Sequence, residues 1–407
     1  MEQHRLLTTK QITRYLQAKE PYHTDSVLRR LRKFTKYKIL IKYQHTFAVR
    51  GFNFSFNYYR LGKKGAEILV SEGYLPVDFN TGSVALAKKG NPIHYLAAQE
   101  IVSHTLEKNH NKFAIESINP FYTKYFDSDY PQKSKLLVSP DWILKKDNMY
   151  INLEIDNNTE TLGVLEEKVS RYLKLNKQDQ NKHTVMICFV DESFHTTKRP
   201  QKRIKNLKNK LLKGEISANL NCLILPLERS YSRPYQLMND LPFDSSNRRM
   251  YMEEVLLETL KRQSKVHYPF ECDQLADEEQ ILSYIEKEYG ARPDLLYKEI
   301  TAQGVRIYRM GMMMREGDIY CLYKLKLFSR LINENSFLDH LGIKIAGMYA
   351  CYSTKDELLH DILGDPLPFV EFTALEEISS WNNPPKFYTY NANKEMEGFV
   401  YERKVKT

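Results

Sequence analysis

The sequence predicts an α/β protein, α+β overall, and three observations carry that expectation. Helical and strand-like periodicities alternate along most of the 407 residues. The run "HTVMICFV" is almost continuously apolar, the mark of a strand covered on both faces. A helix-rich basic segment at the N-terminus gives way to the order α-β-β-α-β, which calls for a mixed sheet covered by helices. A chain of this length holds two or three domains.

The first helix is "LLTTKQITRYL", with a capping threonine and Ile12, Tyr15 and Leu16 on one face. After Pro21 comes "TDSVLRRLRKFTKYKIL", for which Thr24 or Asp25 is the natural cap and Val27, Leu31 and Phe34 form the inward stripe. The opposite face carries Arg29, Arg30, Arg32, Lys33 and Lys36, with no acid after Asp25. Alternating aromatics from Ile39 to Leu61 predict a two-stranded ribbon, and a returning helix begins near Gly62. Helix, basic helix, ribbon, helix is the order of a winged helix, in which a helix enters the major groove and the ribbon touches phosphate. The plainer alternative is a solvated basic face on a structural domain. Residues 1–74 are assigned to this domain, with Arg50 and Arg60 as weaker ribbon contacts, and 75–91 read as a linker.

From Pro92 a strong helical pattern resumes, with Ile93, Leu96, Ala97, Ile101 and Leu106 inward and His94 and Glu100 near its edges. "KLLVSPDWIL" and "MYINLEID" follow as neighbouring strands, "NNTE" as a turn, and "TLGVLEEKVSRYLKL" as a helix. The domain runs from 92 to 228 and closes with "NCLILPL". Asp141 and Glu154 fall at one end of two adjacent strands, and Asp156, two residues on, shares the face of Glu154. Two carboxylates that close can hold Mg²⁺ against a phosphodiester, and a lysine from the next helix, Lys168, can meet the developing charge. Against this stands an inert polar cluster, in which Glu154 and Asp156 pair with Lys168 or Arg171. Two acids on one strand face are nonetheless a costly choice for stability alone.

These residues resemble the restriction-endonuclease-like fold, whose motif runs Pro-Asp, a gap, then an acid, any residue and lysine. Here Pro140-Asp141 and Glu154-Ile155 match, but Asp156 stands where lysine is expected. The resemblance implies Asp141, Glu154, Asp156 and the accessory acid Glu100 as ligands of Mg²⁺. It implies Lys168 and Glu154 as catalytic residues and Tyr172, four residues after Lys168, as support. More specifically, residues 5 to 225 resemble the replication-relaxation family of plasmid and mobile-element proteins, on "SPDWIL", "LEIDNNTE" and the helix bearing "KVSRY". Membership implies a role in plasmid DNA replication and relaxation, with a nuclease-like core whose activity is open.

After the buried strand, "TTKRPQKRIKNLKNKLLKG" carries eight cations without an acid, and Ile204, Leu207 and Leu211 supply a narrow apolar stripe. Lys202, Arg203, Lys205 and Lys208 are therefore candidate phosphate contacts alongside the helix arginines. Residues 229–249 read as a connector and 250–407 as a C-terminal α/β domain of unassigned role, a candidate for self-association or partner docking. Met310, Met312, Met313 and Met314 are read as core. "ARPDLL" echoes the earlier Pro-Asp, but no acid-x-acid strand follows, so the echo reads as coincidence. The order helix, Pro-Asp, strand, helix, strand, helix leaves a faint second copy of the α/β layout open.

Composition narrows the function classes. The net charge is +9, which fits a polyanionic partner, and double-stranded DNA is the one expected. Five scattered cysteines and no His-x-His or His-x₃-His pair exclude a recognisable zinc site or disulfide framework. No phosphate-binding glycine loop or nucleophile elbow is present. The polar N-terminus and the lack of a long apolar run predict a cytoplasmic protein without a membrane span. The expectation is a DNA-binding protein of a plasmid or mobile element; the alternative is a Mg²⁺-dependent endonuclease or nickase.

Overall fold

The computed structural model describes the chain apart from residues 1–5, 50–51, 76–91, 111, 120–137, 179–180, 195–198, 214–219, 240–249, 251, 335–336, 380–382, 391–394 and 402–407. It has the expected α/β composition, divided between two compact units. The first comprises 1–207 and 224–240, the second 208–223 and 241–407. The linker expected over 75–91 and the second half of the connector at 229–249 lie largely outside the described residues. The connector's first half is helical.

The first unit opens with β1 (Leu7–Thr8), α1 (Thr9–Gln17), α2 (Thr24–Lys36), the hairpin β2 (Leu40–Val49) and β3 (Phe52–Leu61), and α3 (Lys63–Ser71). The three strands form one sheet in the order β1-β3-β2. A capping box starts α1: the Thr8 hydroxyl accepts from the Gln11 amide, and the Gln11 side chain accepts from the Thr8 amide. The cap of α2 is His23, without a side-chain bond, rather than Thr24 or Asp25, which stand in its first turn. Val27 and Leu31 are buried as expected, but Phe34 is 38% exposed. Three turns bury only a narrow stripe here, and Phe34 joins the solvent side with the cations. At the hairpin root, a Cβ on Gly65 would lie 2.4 Å from the Ile39 carbonyl oxygen, so only glycine lets α3 approach that closely. One face of the hairpin is a ladder of aromatic pairs. Tyr43 faces Tyr58, His45 faces Phe56 and Phe47 faces Phe54, with ring centroids 5.3, 5.3 and 5.8 Å apart.

The rest of this unit is α4 (Pro92–Asn109), β4 (Glu116–Ile118), β5 (Trp142–Lys146), β6 (Met149–Asp156), α5 (Leu162–Gln178), β7 (Lys182–Phe189), α6 (Gln201–Leu211), β8 (Asn221–Pro226), α7 (Leu227–Ser230) and α8 (Arg233–Asn239). The boundary between the two units runs through α6 and β8. The sheet order is β4-β5-β6-β7-β8, with β5 antiparallel to β6 and β6 parallel to β7. From His183 to Phe189 every residue of β7 is buried, which is what its continuous apolar run predicts. Helix α4 is buried on several sides, because it also takes the N-terminal segment: Gln11 donates to the Leu96 carbonyl and to Glu100.

The second unit contains α9 (Glu258–Gln263), β9 (Glu271–Gln274), α10 (Glu278–Tyr289), β10 (Leu295–Ile300), β11 (Arg306–Met313), α11 (Ile319–Asn333), β12 (Ile345–Tyr352), α12 (Lys355–His360), β13 (Val370–Ala374), α13 (Leu375–Ile378), β14 (Lys386–Tyr390) and β15 (Met396–Val400). Its strands run in sheet order β15-β14-β13-β12-β11-β10-β9. Met310, Met312 and Met314 pack under α11 and Met313 on the opposite face, so the methionine run is core.

Candidate nucleic-acid interface and strand-end site

Two features of the first unit bear chemistry. The first is the outer face of α2. Arg29, Arg30, Arg32, Lys33 and Lys36 are all exposed, and none forms an ion pair with another described residue. Arg30 lies over the Tyr22 ring, 5.3 Å from its centroid. The apolar stripe of α2 is spent on the core, which leaves its cations facing outward.

The second feature is the end of β6. Glu154 is 2% exposed. Its Oε1 accepts from the Tyr172 hydroxyl at 2.6 Å and its Oε2 from Lys168 Nζ at 2.9 Å. Lys168 and Tyr172 are one turn apart on α5, so both reach the same carboxylate. Lys168 also donates to Glu160 at 2.9 Å. Arg203 of α6 then links the Glu160 carbonyl to the carboxylate of Asp156, itself buried. The result is one polar chain: Tyr172, Glu154, Lys168, Glu160, Arg203, Asp156. Burial, reinforced by the charge of Asp141, pushes the Glu154 carboxyl up. Lys168 loses something to burial, yet the two glutamates hold its ammonium well above the ordinary lysine range.

Asp141 stands at the start of β5 beside this chain. Its Oδ2 accepts from the Ile155 amide at 2.7 Å, and its Oδ1 is 2.6 Å from Nε2 of His94 on α4. Burial works against the His94 cation, but the Asp141 hydrogen bond and charge outweigh it, so its pKa is raised. By sequence alone His94 falls on a helix edge without a role. A histidine is uninformative until the fold shows which acid it meets.

Not every expected residue joins the site. Glu100 belongs to the packing of α1 on α4: Arg14 and Gln11 donate to it, and His104 lies 3.5 Å away. Burial alone would raise its carboxyl, but His104 and Arg14 hold it down to about 2. Asp156 is taken by Arg203 rather than standing free beside Glu154. Among the described residues, no three His, Cys, Asp or Glu side chains stand together in a way that could hold a metal ion. The expected four-acid cluster is therefore reduced to Asp141 and Glu154. Arg171, the other partner considered for these acids, pairs with Glu167 on its own helix.

The basic helix α6 divides in the same way. Lys202 is exposed and Lys205 partly so, whereas Arg203 is committed to Asp156 and Glu160. Lys208 is 2% exposed and bonded to Asp361 and the Ile362 carbonyl at 2.9 and 3.0 Å, which withdraws it from phosphate. The stripe Ile204, Leu207 and Leu211 is buried, and Lys208, four residues after Ile204 and three before Leu211, lies on it. All five cysteines are free and buried. Among the described residues, no helix is long and apolar enough to cross a membrane.

Searches of curated proteins and of solved structures returned no match for this chain. A family model does match. It covers residues 1–188, from the N-terminal segment through the hairpin, α4, the Pro-Asp step, the acid-bearing strand and almost all of β7. That stretch contains α2 with its outward cations and every member of the strand-end site except Arg203, and over it the chain matches the replication-relaxation family.

Proposed function

We propose that this chain is a DNA-binding protein acting in the replication or relaxation of a plasmid or mobile element, and that duplex DNA lies along the outer face of α2. The observation that carries this reading is the set of five exposed cations, without described acid partners, on a helix whose other face is anchored in a small core. The winged-helix order of helix, helix, hairpin and helix supports it, with α2 entering a groove and the hairpin alongside. Lys202 adds a further exposed cation on α6. The test is fluorescence anisotropy on a duplex across a salt series. Binding weakens with salt, and replacing Arg29, Arg30, Arg32 and Lys33 by alanine lowers the slope of log K against log salt by about 0.9 for each phosphate that is no longer neutralised. An unchanged slope and affinity would remove α2 from the interface.

A second reading rests on Asp141 and Glu154. The donors are carboxylate oxygens, the type Mg²⁺ takes, and two carboxylates suffice when a phosphate and water complete the shell. Asp141 accepts from the amide of Ile155, the residue after Glu154, which brings both acids to the same strand end. Bound there, Mg²⁺ would supply a Lewis acid at a phosphodiester. Lys168 would meet the negative charge developing on phosphate, Tyr172 would fix the rotamer of Glu154, and His94 would hold Asp141. Incubating supercoiled plasmid with Mg²⁺ or Mn²⁺, against an EDTA control and Glu154→Ala, decides between the readings. Metal-dependent nicking that disappears in the variant makes this a nickase; binding without cleavage leaves a DNA-binding protein.

A further inference from the structure

We infer that the second unit repeats the α/β core of the first with its strand-end site closed, so that Glu154, Asp156 and Tyr172 are polar additions to a fold that does not require them, while the clasp of Asp141 on a strand amide belongs to the fold. The sheet order β4-β5-β6-β7-β8 has its counterpart in β13-β12-β11-β10-β9 read from the other end. In both, a Pro-Asp step leads into a strand, an antiparallel partner follows, then a helix and a parallel strand.

The correspondence extends to single hydrogen bonds. The Asp141 amide donates to the Leu153 carbonyl, and the Asp294 amide to the Gly311 carbonyl. Asp141 Oδ2 accepts from the Ile155 amide at 2.7 Å, and Asp294 Oδ2 from the Met313 amide at 2.7 Å. Ile155 pairs with Cys188 and Met313 with Cys351 on the parallel strands. The following helices bury side chains at the same spacing: Leu165, Val169, Tyr172 and Leu175 on α5, and Cys321, Leu325, Phe328 and Leu331 on α11. A lysine precedes the second member of each set, Lys168 and Lys324. In this alignment Glu154 corresponds to Met312, Asp156 to Met314 and Tyr172 to Phe328.

The second copy therefore builds the same strand end from apolar groups. Met312, Met314 and Phe328 are at most 2% exposed. Its lysine turns inward: Lys324 lies 2.9 Å from Asp294 Oδ1, the oxygen whose counterpart in the first unit faces His94. The aspartate clasp on the strand amide is common to both copies, hence a requirement of the fold. The acids and the tyrosine hydroxyl occur only in the first, where burial makes them costly and a divalent cation is the chemistry the carboxylates fit.

The test gives the first copy the residues of the second. In the full-length chain, Glu154→Met, Asp156→Met and Tyr172→Phe are made together. Lys168 keeps Glu160 and Arg203 keeps the Glu160 carbonyl, so neither cation is stranded. The expected result is native circular dichroism and a melting temperature within a few degrees of the parent, about the spread of a 1 kcal/mol change. Asp141→Ala and Asp294→Ala serve as controls. In hydrogen exchange, each speeds the amide it clasps, Ile155 or Met313, by about tenfold or more, as loss of a charged-group hydrogen bond requires. A triple variant that unfolds as readily as Asp141→Ala would overturn the inference, and so would an aspartate variant that leaves its amide protected. Both readouts concern folding, so they stand whether or not the chain cuts or binds DNA; DNA binding and nicking by the same triple variant test that reading separately.

Discussion

In the first unit the strand after the Pro-Asp step ends Glu154-Ile155-Asp156, and in the second it ends Met312-Met313-Met314. The backbone clasp, the parallel partner and the helix above are common to the two. One strand end carries a polar chain across two helices; the other is filled with thioethers. A buried carboxylate in a fold that packs equally well with methionine is not there to hold the fold. The comparison separates what the architecture demands, an aspartate on a strand amide, from what one copy has added.

The largest effects should come from the closed copy. Lys324 and Asp294 are buried together, as are Lys208 and Asp361. Lys324→Ala or Lys208→Ala strands a buried carboxylate and should cost about 3–5 kcal/mol in urea unfolding, localised by hydrogen exchange. A cost under about 1 kcal/mol for Lys324→Ala would break the comparison, because the second clasp would then not depend on its charge. Lys202→Ala should do the reverse of Lys208→Ala, lowering the salt slope of DNA binding while leaving stability unchanged.

Acid sharpens the contrast next. Glu100 is held near 2 in the folded first unit, against an ordinary 4.5. A depressed carboxylate contributes stability that is present above the unfolded value and lost as pH falls through the folded one. The window is therefore pH 4.5 down to about 2, and the amount is about 3 kcal/mol. Melting curves of the parent and of Glu100→Gln should converge as the pH approaches 2; curves that stay parallel would dismiss Glu100 as the bolt between α1 and α4.

Lys168→Ala should cost less than Lys324→Ala, about 1–2 kcal/mol, because Glu154 keeps Tyr172 and can take a proton in compensation. Equal costs would mean that the open copy depends on its ion pair as heavily as the closed one does. The smallest effect belongs to Phe34→Ala, where exposure predicts a stability change within about 0.5 kcal/mol. A loss of DNA affinity in that variant would place Phe34 with the cations around it.

Much of the fold was legible in periodicity and caps. Thr8 caps α1, the "HTVMICFV" strand is buried, and the methionine run is core, all decided by local pattern. Phe34 misled because a helix face has no sharp edge, and Lys208 because it stands four residues after Ile204 and three before Leu211, on the buried stripe itself. The site was half legible. The resemblance put Lys168 and Tyr172 beside Glu154, and the helix period sets those two one turn apart. The partners of Glu100 and His94, Arg14 and Asp141, were not legible because they lie far away in sequence. The "ARPDLL" echo carried more than its letters indicated: without an acid-x-acid strand after it there was no chemical signal, and only the hydrogen bond to Met313 shows the shared clasp.

The hairpin has one more consequence, a matter of reach. Its strands are ten residues each and paired along their whole length. At about 3.3 Å per residue the ribbon extends roughly 30 Å from a root that glycine holds tight. That is close to one turn of B-form DNA, about 34 Å. A duplex seated on α2 with the ribbon running alongside would be protected for about one turn more than the helix itself covers, and the aromatic ladder is what keeps so long a ribbon from being a loose arm.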